Sequence, residues 1–338
     1  MFKLYKILFF NSMIISTFIC ISAYSWLSAW IGLEINLLSF IPLLKNQKNK
    51  FASEASLKYF IVQVMASSIL LFSIIIFMST KNYLNSMMGF SETLLMSTAL
   101  LMKLGAAPFH FWLPEVVSGL NWFNIYIILT WQKIAPMVLL TYHIKTNLMF
   151  FSSIIIISSI ISGISGLNQI DLRKIMAYSS INHMGWMISS LFYSSMNCFN
   201  YFCVYCLINL NIILILKYVN VFFLNQLTSI LSHNKKLKFF FMLNFLSLGG
   251  LPPFIGFLPK WLTINNLINN NFYLLSTILI IFTLISLYFY LRITFSSMTI
   301  FSQESLTFFL TKMNYFYFFL NFLSLSGLII CSMIDSIY

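Results

Sequence analysis

The chain has 338 residues, of which 60% are hydrophobic, 18% aromatic and only 8% charged, with a formal net charge of +12. Soluble domains carry about 25% charged residues, so a chain this apolar from end to end is solvated by lipid; this excludes a water-soluble domain and most soluble cofactor folds. The positive balance does not point to nucleic acid either, because the basic residues sit in short connections between apolar runs, where they set membrane orientation.

In chain order, runs of about twenty apolar residues, the length that crosses a bilayer, predict eleven spans at approximately 4–22, 24–44, 56–80, 92–117, 122–143, 148–166, 174–193, 197–218, 238–268, 272–292 and 314–334. Lys3 and Lys6 precede the first run as they would in a signal peptide, but no small-residue cleavage site follows, so it is read as the first membrane helix. Connections are short except around 219–237 and 293–313, and no shift in composition marks a boundary. The expected fold is an all-α polytopic bundle. The five cysteines include the pair Cys203 and Cys206 inside FNYFCVYCLINL, with no second pair and no histidine nearby; they read as small buried apolar side chains, not as metal ligands or disulfides. The abundance of Phe, Ile, Asn, Ser and Tyr fits an A+T-rich genome such as an organelle's.

The basic residues test the span count. If connections alternate sides, Lys81 and Lys145 fall on one side, and every other loop lysine and arginine, from Lys3 and Lys6 to Arg292 and Lys312, falls on the other. The rich side is the positive-inside compartment. The N-terminus is then expected inside, and the C-terminus, with Asp335, outside.

Four charges remain within spans: Glu34, Lys103, Lys133 and Lys260. A charge near the bilayer centre costs about 2.5–3.5 kcal/mol on insertion scales and there faces a partner or water. Snorkelling explains lysines near span ends, but Lys133 in ILTWQKIAPMVLL is far from either end. One glutamate cannot pair with three lysines, and burial disfavours the charged form of an unpaired lysine. That is the property a proton carrier needs. Two spans also break beside these charges, at GAAPFHFWLP and at GGLPPFIGFLP. Proline removes a helical hydrogen bond, and irregular backbone at membrane depth is tolerated only in protein or along water. The two broken spans lie five apart, an odd number, so the second is inverted relative to the first, as in transporters built from inverted repeats.

Other polar positions are weaker candidates. His183, beside Asn182 in YSSINHMGWM, is read either as a proton relay or as a satisfied interhelical hydrogen bond. His110 beside the first break is similar, and Lys217 reads as snorkelling. Glu54, Glu115, Asp171 and Glu304 are expected in solvated positions. There is no P-loop, no GxGxxG after a strand, no HExxH and no cysteine set for an iron–sulfur cluster, so electrons are not expected to pass through this chain.

Six segments in order, LEINLLSFIPLL, EASLKYFIVQ, MKLGAAPFHFWLPEV, TWQKIAP, GLNQIDLRKIMAYSSINHMGWM and LSLGGLPPFIGFLPKW, resemble the mitochondrially encoded, antiporter-like membrane subunits of respiratory complex I, over about residues 25 to 292. The resemblance implies inverted five-helix repeats with a discontinuous helix in each: repeat one about 1–145, repeat two about 146–293, and a C-terminal helix about 314–334. Eleven spans are fewer than the fourteen of bacterial relatives and fit the animal form, which lacks three N-terminal helices. The resemblance also implies a proton channel built on a glutamate and lysines, matched here by Glu34, Lys103, Lys133 and Lys260, with His183 as a further relay. It implies no cofactor in this chain, with NADH, FMN, iron–sulfur clusters and ubiquinone in partner subunits. The partners implied are other membrane-arm subunits, including adjacent antiporter-like ones, and membrane lipids, with no nucleic acid. The location implied is the mitochondrial inner membrane, with the N-terminus in the matrix and the C-terminus in the intermembrane space. In this reading Lys103 holds a proton while Glu34 is close, then passes it through ordered water, by way of His183, to Lys133 and Lys260. The rival readings are a free-standing cation/proton antiporter and a scaffold whose charges only tie helices together.

Overall fold

The computed structural model describes residues 4–45, 49–81, 89–231, 235–298, 321, 322 and 324. Most of the expected C-terminal span 314–334 and all of Lys3, Lys48, Glu304, Lys312, Cys331 and Asp335 lie outside the described residues. The chain divides into two units, Met1–Ile154 and Ile155–Tyr338.

The first unit holds α1 (Leu4–Ile21), α2 (Trp26–Leu44), α3 (Lys50–Lys81), α4 (Phe90–Leu104), α5 (Trp112–Ser118), α6 (Trp122–Leu129), α7 (Trp131–Leu140) and the start of α8 (Leu148–Leu167). The second holds the rest of α8, then α9 (Leu172–Leu191), α10 (Ser195–Val219), α11 (Leu224–Leu231), α12 (Lys235–Gly249), α13 (Phe257–Asn269) and α14 (Tyr273–Met298). The first ten expected spans all appear. Those at 92–117 and 238–268 are broken as expected, into α4/α5 and α12/α13. Two features differ. The connection 219–237 contains the short helix α11, and the span 122–143 is also interrupted, at Thr130 (φ −120, ψ −74).

Local chemistry sets these boundaries. Ser25 caps α2: its hydroxyl accepts the Ser28 N–H at 3.2 Å, while the Ser25 N–H donates to the Ser28 hydroxyl at 3.3 Å. At the start of α4 the Gly89 N–H donates to Glu92 Oε2 at 3.2 Å, so a buried carboxylate meets an orphan donor at the positive end of the helix. Asn220 (φ 54) ends α10 in the left-handed region that asparagine tolerates.

In the first unit α1 lies against α2, and a Cβ added at Gly32 would stand 2.9 Å from the Cys20 backbone nitrogen. Leu33, Leu37, Phe40, Leu100, Leu101 and Leu104 fill the interior, while Ile31, Leu38, Phe60, Ile61 and Phe72 face outward. Outward apolar side chains are what lipid solvates, so apolarity on both faces is expected of a spanning bundle.

Seven helical stretches among the described residues are long and apolar enough to cross a membrane. The three expected spans outside that set are α4/α5, α9 and α12/α13. Two are broken, and α9 is a central helix buried on nearly every side. Because α9 does not face lipid it carries serines, whose hydroxyls bond back to their own helix, as Ser179 does to the Met176 carbonyl at 2.7 Å and Ser189 to that of Trp186 at 2.8 Å. The three expected spans outside that set are the ones that carry Lys103, His183 and Lys260.

Candidate functional site

The site in the first unit begins where α4 stops. Gly105 takes φ 71, the left-handed conformation glycine allows, and an irregular stretch containing the cis Ala107–Pro108 bond leads to α5. The freed carbonyls of the last turn find partners. Leu101 accepts from the Ala106 N–H at 3.2 Å. Met102 accepts from the Gly105 N–H at 3.2 Å and from Trp112 Nε1 at 3.1 Å. The Lys103 carbonyl accepts from Gln63 Nε2 at 3.4 Å. His110 turns its Nδ1 to the Pro108 carbonyl at 3.2 Å, inside the break.

Lys133 stands just after the second interruption. Thr130 closes α6 with its N–H on the Tyr126 carbonyl, and the Lys133 N–H returns to the Thr130 carbonyl in a tight turn at 3.1 Å. Pro136, inside α7, has no N–H to offer the carbonyl of Gln132 four residues back.

Lys103 and Lys133 are both buried, at 7% and 2% exposure, yet both line one cavity of about 20 Å³, with Asn36, Tyr59, Gln63 and Gln132 as its other polar walls. That volume holds a water molecule, and the polar groups around it are the partners a buried water requires. Glu34 lies within electrostatic range of Lys103. Its Oε1 is buried without a hydrogen-bond partner, and no ion pair joins it to Lys103 among the described residues.

In the second unit Lys260 is 5% exposed and reaches back to the end of α12, where its Nζ donates to the Gly249 carbonyl at 2.8 Å and the Leu248 carbonyl at 3.4 Å. The two earlier carbonyls of that last turn are met by the Gly250 N–H on Ser247 and the Leu251 N–H on Leu246. The lysine therefore completes the cap of a helix that ends inside the bundle. Gly250 (φ +79) leaves the space for it: a Cβ there would lie 2.7 Å from Lys260 Cδ and 2.9 Å from Nζ. The Trp186 ring lies 5.9 Å from the same ammonium, and His183 stands one turn earlier on α9. His183 Nδ1 meets the Tyr201 hydroxyl at 2.9 Å, and its ring lies 5.1 Å from that of Tyr205. Asn182 donates to the Ser286 hydroxyl at 3.0 Å.

The candidates thus fall into two groups. Lys103 and Lys133 meet at one cavity with Glu34 near; Lys260 and His183 belong to the second unit. Glu54 and Glu115 are solvent-facing as expected and flank Lys58, each at 3.0 Å. Asp171 departs from expectation: its side chain is only 14% exposed and pairs with Arg173 at 3.4 Å. Sequence reasoning passed over Asn36, Gln63, Gln132, Tyr201 and Glu92. The first four are uncharged and give no hydropathy signal in an Asn-rich, Tyr-rich chain; Glu92 stands at a span end, where a carboxylate draws no notice. Among the described residues, no three His, Cys, Asp or Glu side chains are grouped to hold a metal ion.

A helical bundle whose crossing helices break beside buried lysines is the architecture of an antiporter-like membrane subunit. Residues 23–286 match the family described as NADH:quinone oxidoreductase/Mrp antiporter, TM. The chain is 47% identical over 338 residues to NADH-ubiquinone oxidoreductase chain 2 of Anopheles gambiae, covering 98% of each. The chain belongs to the NADH-ubiquinone oxidoreductase chain 2 family, and is a multi-pass membrane-arm subunit with the antiporter-like fold. Its fold is similar to a chain in respiratory complex I from Thermus thermophilus with bound Aureothin, with TM-score 0.85 and 22% identity over 97% of this chain and 78% of that one. It is also similar to a chain in the Mrp complex from Dietzia sp. DQ12-45-1b, with TM-score 0.75 and 15% identity over 83% and 58% of the two chains.

Proposed function

We propose that this chain is a proton-translocating module of NADH:ubiquinone oxidoreductase, in which Glu34, Lys103, Lys133, Lys260 and His183 carry or pass protons while redox chemistry at NADH, FMN, iron–sulfur clusters and ubiquinone proceeds in partner subunits. The observation that carries this reading is the pairing of two buried lysines on one water-sized polar cavity, each beside an interrupted helix. A scaffold has no need of two basic side chains at one cavity, where two ammonium groups would repel each other. Glu34, within electrostatic range of Lys103, places an opposite charge beside the two basic side chains.

The broken helices α4/α5 and α12/α13 support inverted repeats, about 1–145 and about 146–293, each contributing one lysine beside its break. The distribution of loop lysines and arginines supports an N-terminus in the matrix and a C-terminus in the intermembrane space of mitochondria. Neighbouring antiporter-like subunits of the membrane arm and lipid are the partners in this reading.

The test is Lys103→Met in the assembled enzyme, with NADH:quinone turnover and proton uptake measured in the same vesicles. Normal assembly with turnover or pumping lowered at least about a hundred-fold is expected of a residue that moves a proton. Full retention of both makes Lys103 a structural residue and favours a scaffold.

A further inference from the structure

Two uncharged side chains stand at the cavity shared by the lysines of the first unit. Asn36 on α2 and Gln132 on α7 line it together with Lys103 and Lys133, and Gln132 Nε2 donates to Asn36 Oδ1 at 3.1 Å. Their places in the sequence are informative. Gln132 directly precedes Lys133, and Asn36 follows Glu34 by two residues. Two residues turn a helix through about 200°, so Asn36 can face the cavity while Glu34 stands on another side of α2. The pair therefore joins the helix carrying the glutamate to the helix carrying the second lysine.

An amide neither takes up nor gives off a proton near neutral pH, so neither residue is a carrier. Each does offer both donors and an acceptor. The one bond between them uses a single N–H of Gln132 and a single lone pair of Asn36. Gln132 keeps its own acceptor and a second N–H, and Asn36 keeps its amide donors. A structural tie between two helices needs one hydrogen bond. This pair adds surplus donors and acceptors beside a cavity that admits water and touches two lysines, which is what fixing the orientation of a bridging water requires.

We infer that the Asn36–Gln132 pair is a positioning element for proton transfer between Lys103 and Lys133, holding the intervening water in line. In the step, an N–H bond breaks at one Nζ, the water oxygen takes that proton while giving up another, and an N–H bond forms at the second Nζ; one positive charge moves and nothing is oxidised or reduced. The inference rests on the proton-translocating function proposed above.

The test uses the assembled enzyme in vesicles and compares Asn36→Leu, Gln132→Met and Lys133→Met. Turnover is measured per assembled complex in H2O and in D2O. Losing the positioning pair is expected to slow turnover about ten-fold, with a larger solvent isotope effect because proton transfer becomes limiting. The exchange variant, Asn36→Gln with Gln132→Asn, restores both amides and is expected to recover most of the rate. A merely structural tie lowers the amount of assembled complex but leaves the isotope effect unchanged, and that result overturns the inference. If Lys133→Met slows turnover while both amide variants run at the native rate and isotope effect, the inference falls and the proton-translocating function stands. If Lys133→Met is itself silent, that function falls first. Should the apolar variants fail to assemble, Asn36→Ser and Gln132→Ser, smaller and still polar, carry the same isotope measurement.

Discussion

The two units solve the same local problem in opposite ways. Each interrupts a helix inside the bundle, and each must satisfy the carbonyls that the interruption strands. In the second unit the lysine does this itself: the Lys260 ammonium sits on the Leu248 and Gly249 carbonyls. In the first unit Trp112 and Gln63 meet the carbonyls of Met102 and Lys103, and the Lys103 ammonium is left to the cavity. Position along the chain explains the difference. Lys103 is in the last turn of α4, before the break, so its side chain leaves from the very turn that needs capping. Lys260 follows its break and can reach back. One lysine is thus part of the backbone's hydrogen-bonding, and the other is available to a second lysine and to water.

Several changes sharpen or break this contrast. The largest effect is expected at Gly256, where an added Cβ would stand 1.8 Å from the Ser247 carbonyl oxygen. Backbone cannot yield as a side chain can, so Gly256→Ala is expected to destabilise the second unit by more than about 3 kcal/mol, read as loss of assembled complex on native gels. Next is Lys260→Met, which leaves two buried carbonyls without a donor and is expected to cost about 2–4 kcal/mol; assembled protein should fall visibly. Lys103→Met should leave assembly close to native while abolishing transport. Equal assembly in the two variants breaks the comparison. Gly105→Ala comes third, at about 1–2 kcal/mol for an alanine at φ 71; the nearest atom, 2.8 Å away, is the Leu113 Cδ1 of a side chain that can move, so thermal inactivation should shift without loss of assembly. The smallest effect on stability is expected from Gln63→Leu, which removes the donor to the Lys103 carbonyl and is expected to cost about 1 kcal/mol, read as a modest drop in the temperature of inactivation.

Most of this architecture was legible because membrane helices announce themselves by length and apolarity. Ten of the expected spans correspond to helices, and the glycines and prolines at 105–108 and 249–253 placed two of the breaks correctly. The break at Thr130 was not legible: neither glycine nor proline stands there, and Pro136 lies nearly a full turn beyond Lys133. The lysines of the site were visible because a charge in lipid is costly enough to be noticed. Asn36 and Gln132 were not, since their role depends on two helices separated by 96 residues meeting at one cavity, and a neutral amide in an Asn-rich chain carries no such signal. Glu92 was missed for a different reason. It stands at the start of a span, where an acid looks solvated, yet the fold buries it on the Gly89 N–H.

The hold of Lys260 on the end of α12 ties together two quantities that are separate in most proteins, the charge on a side chain and the continuity of a transmembrane rod. The ammonium acts as a rivet between two half-helices. Whatever draws Gly249 away from it changes how well a proton is kept there, and by thermodynamic reciprocity whatever changes that proton alters how stiffly the two halves are joined. The geometry of the break and the charge it encloses are thus set by the same contacts.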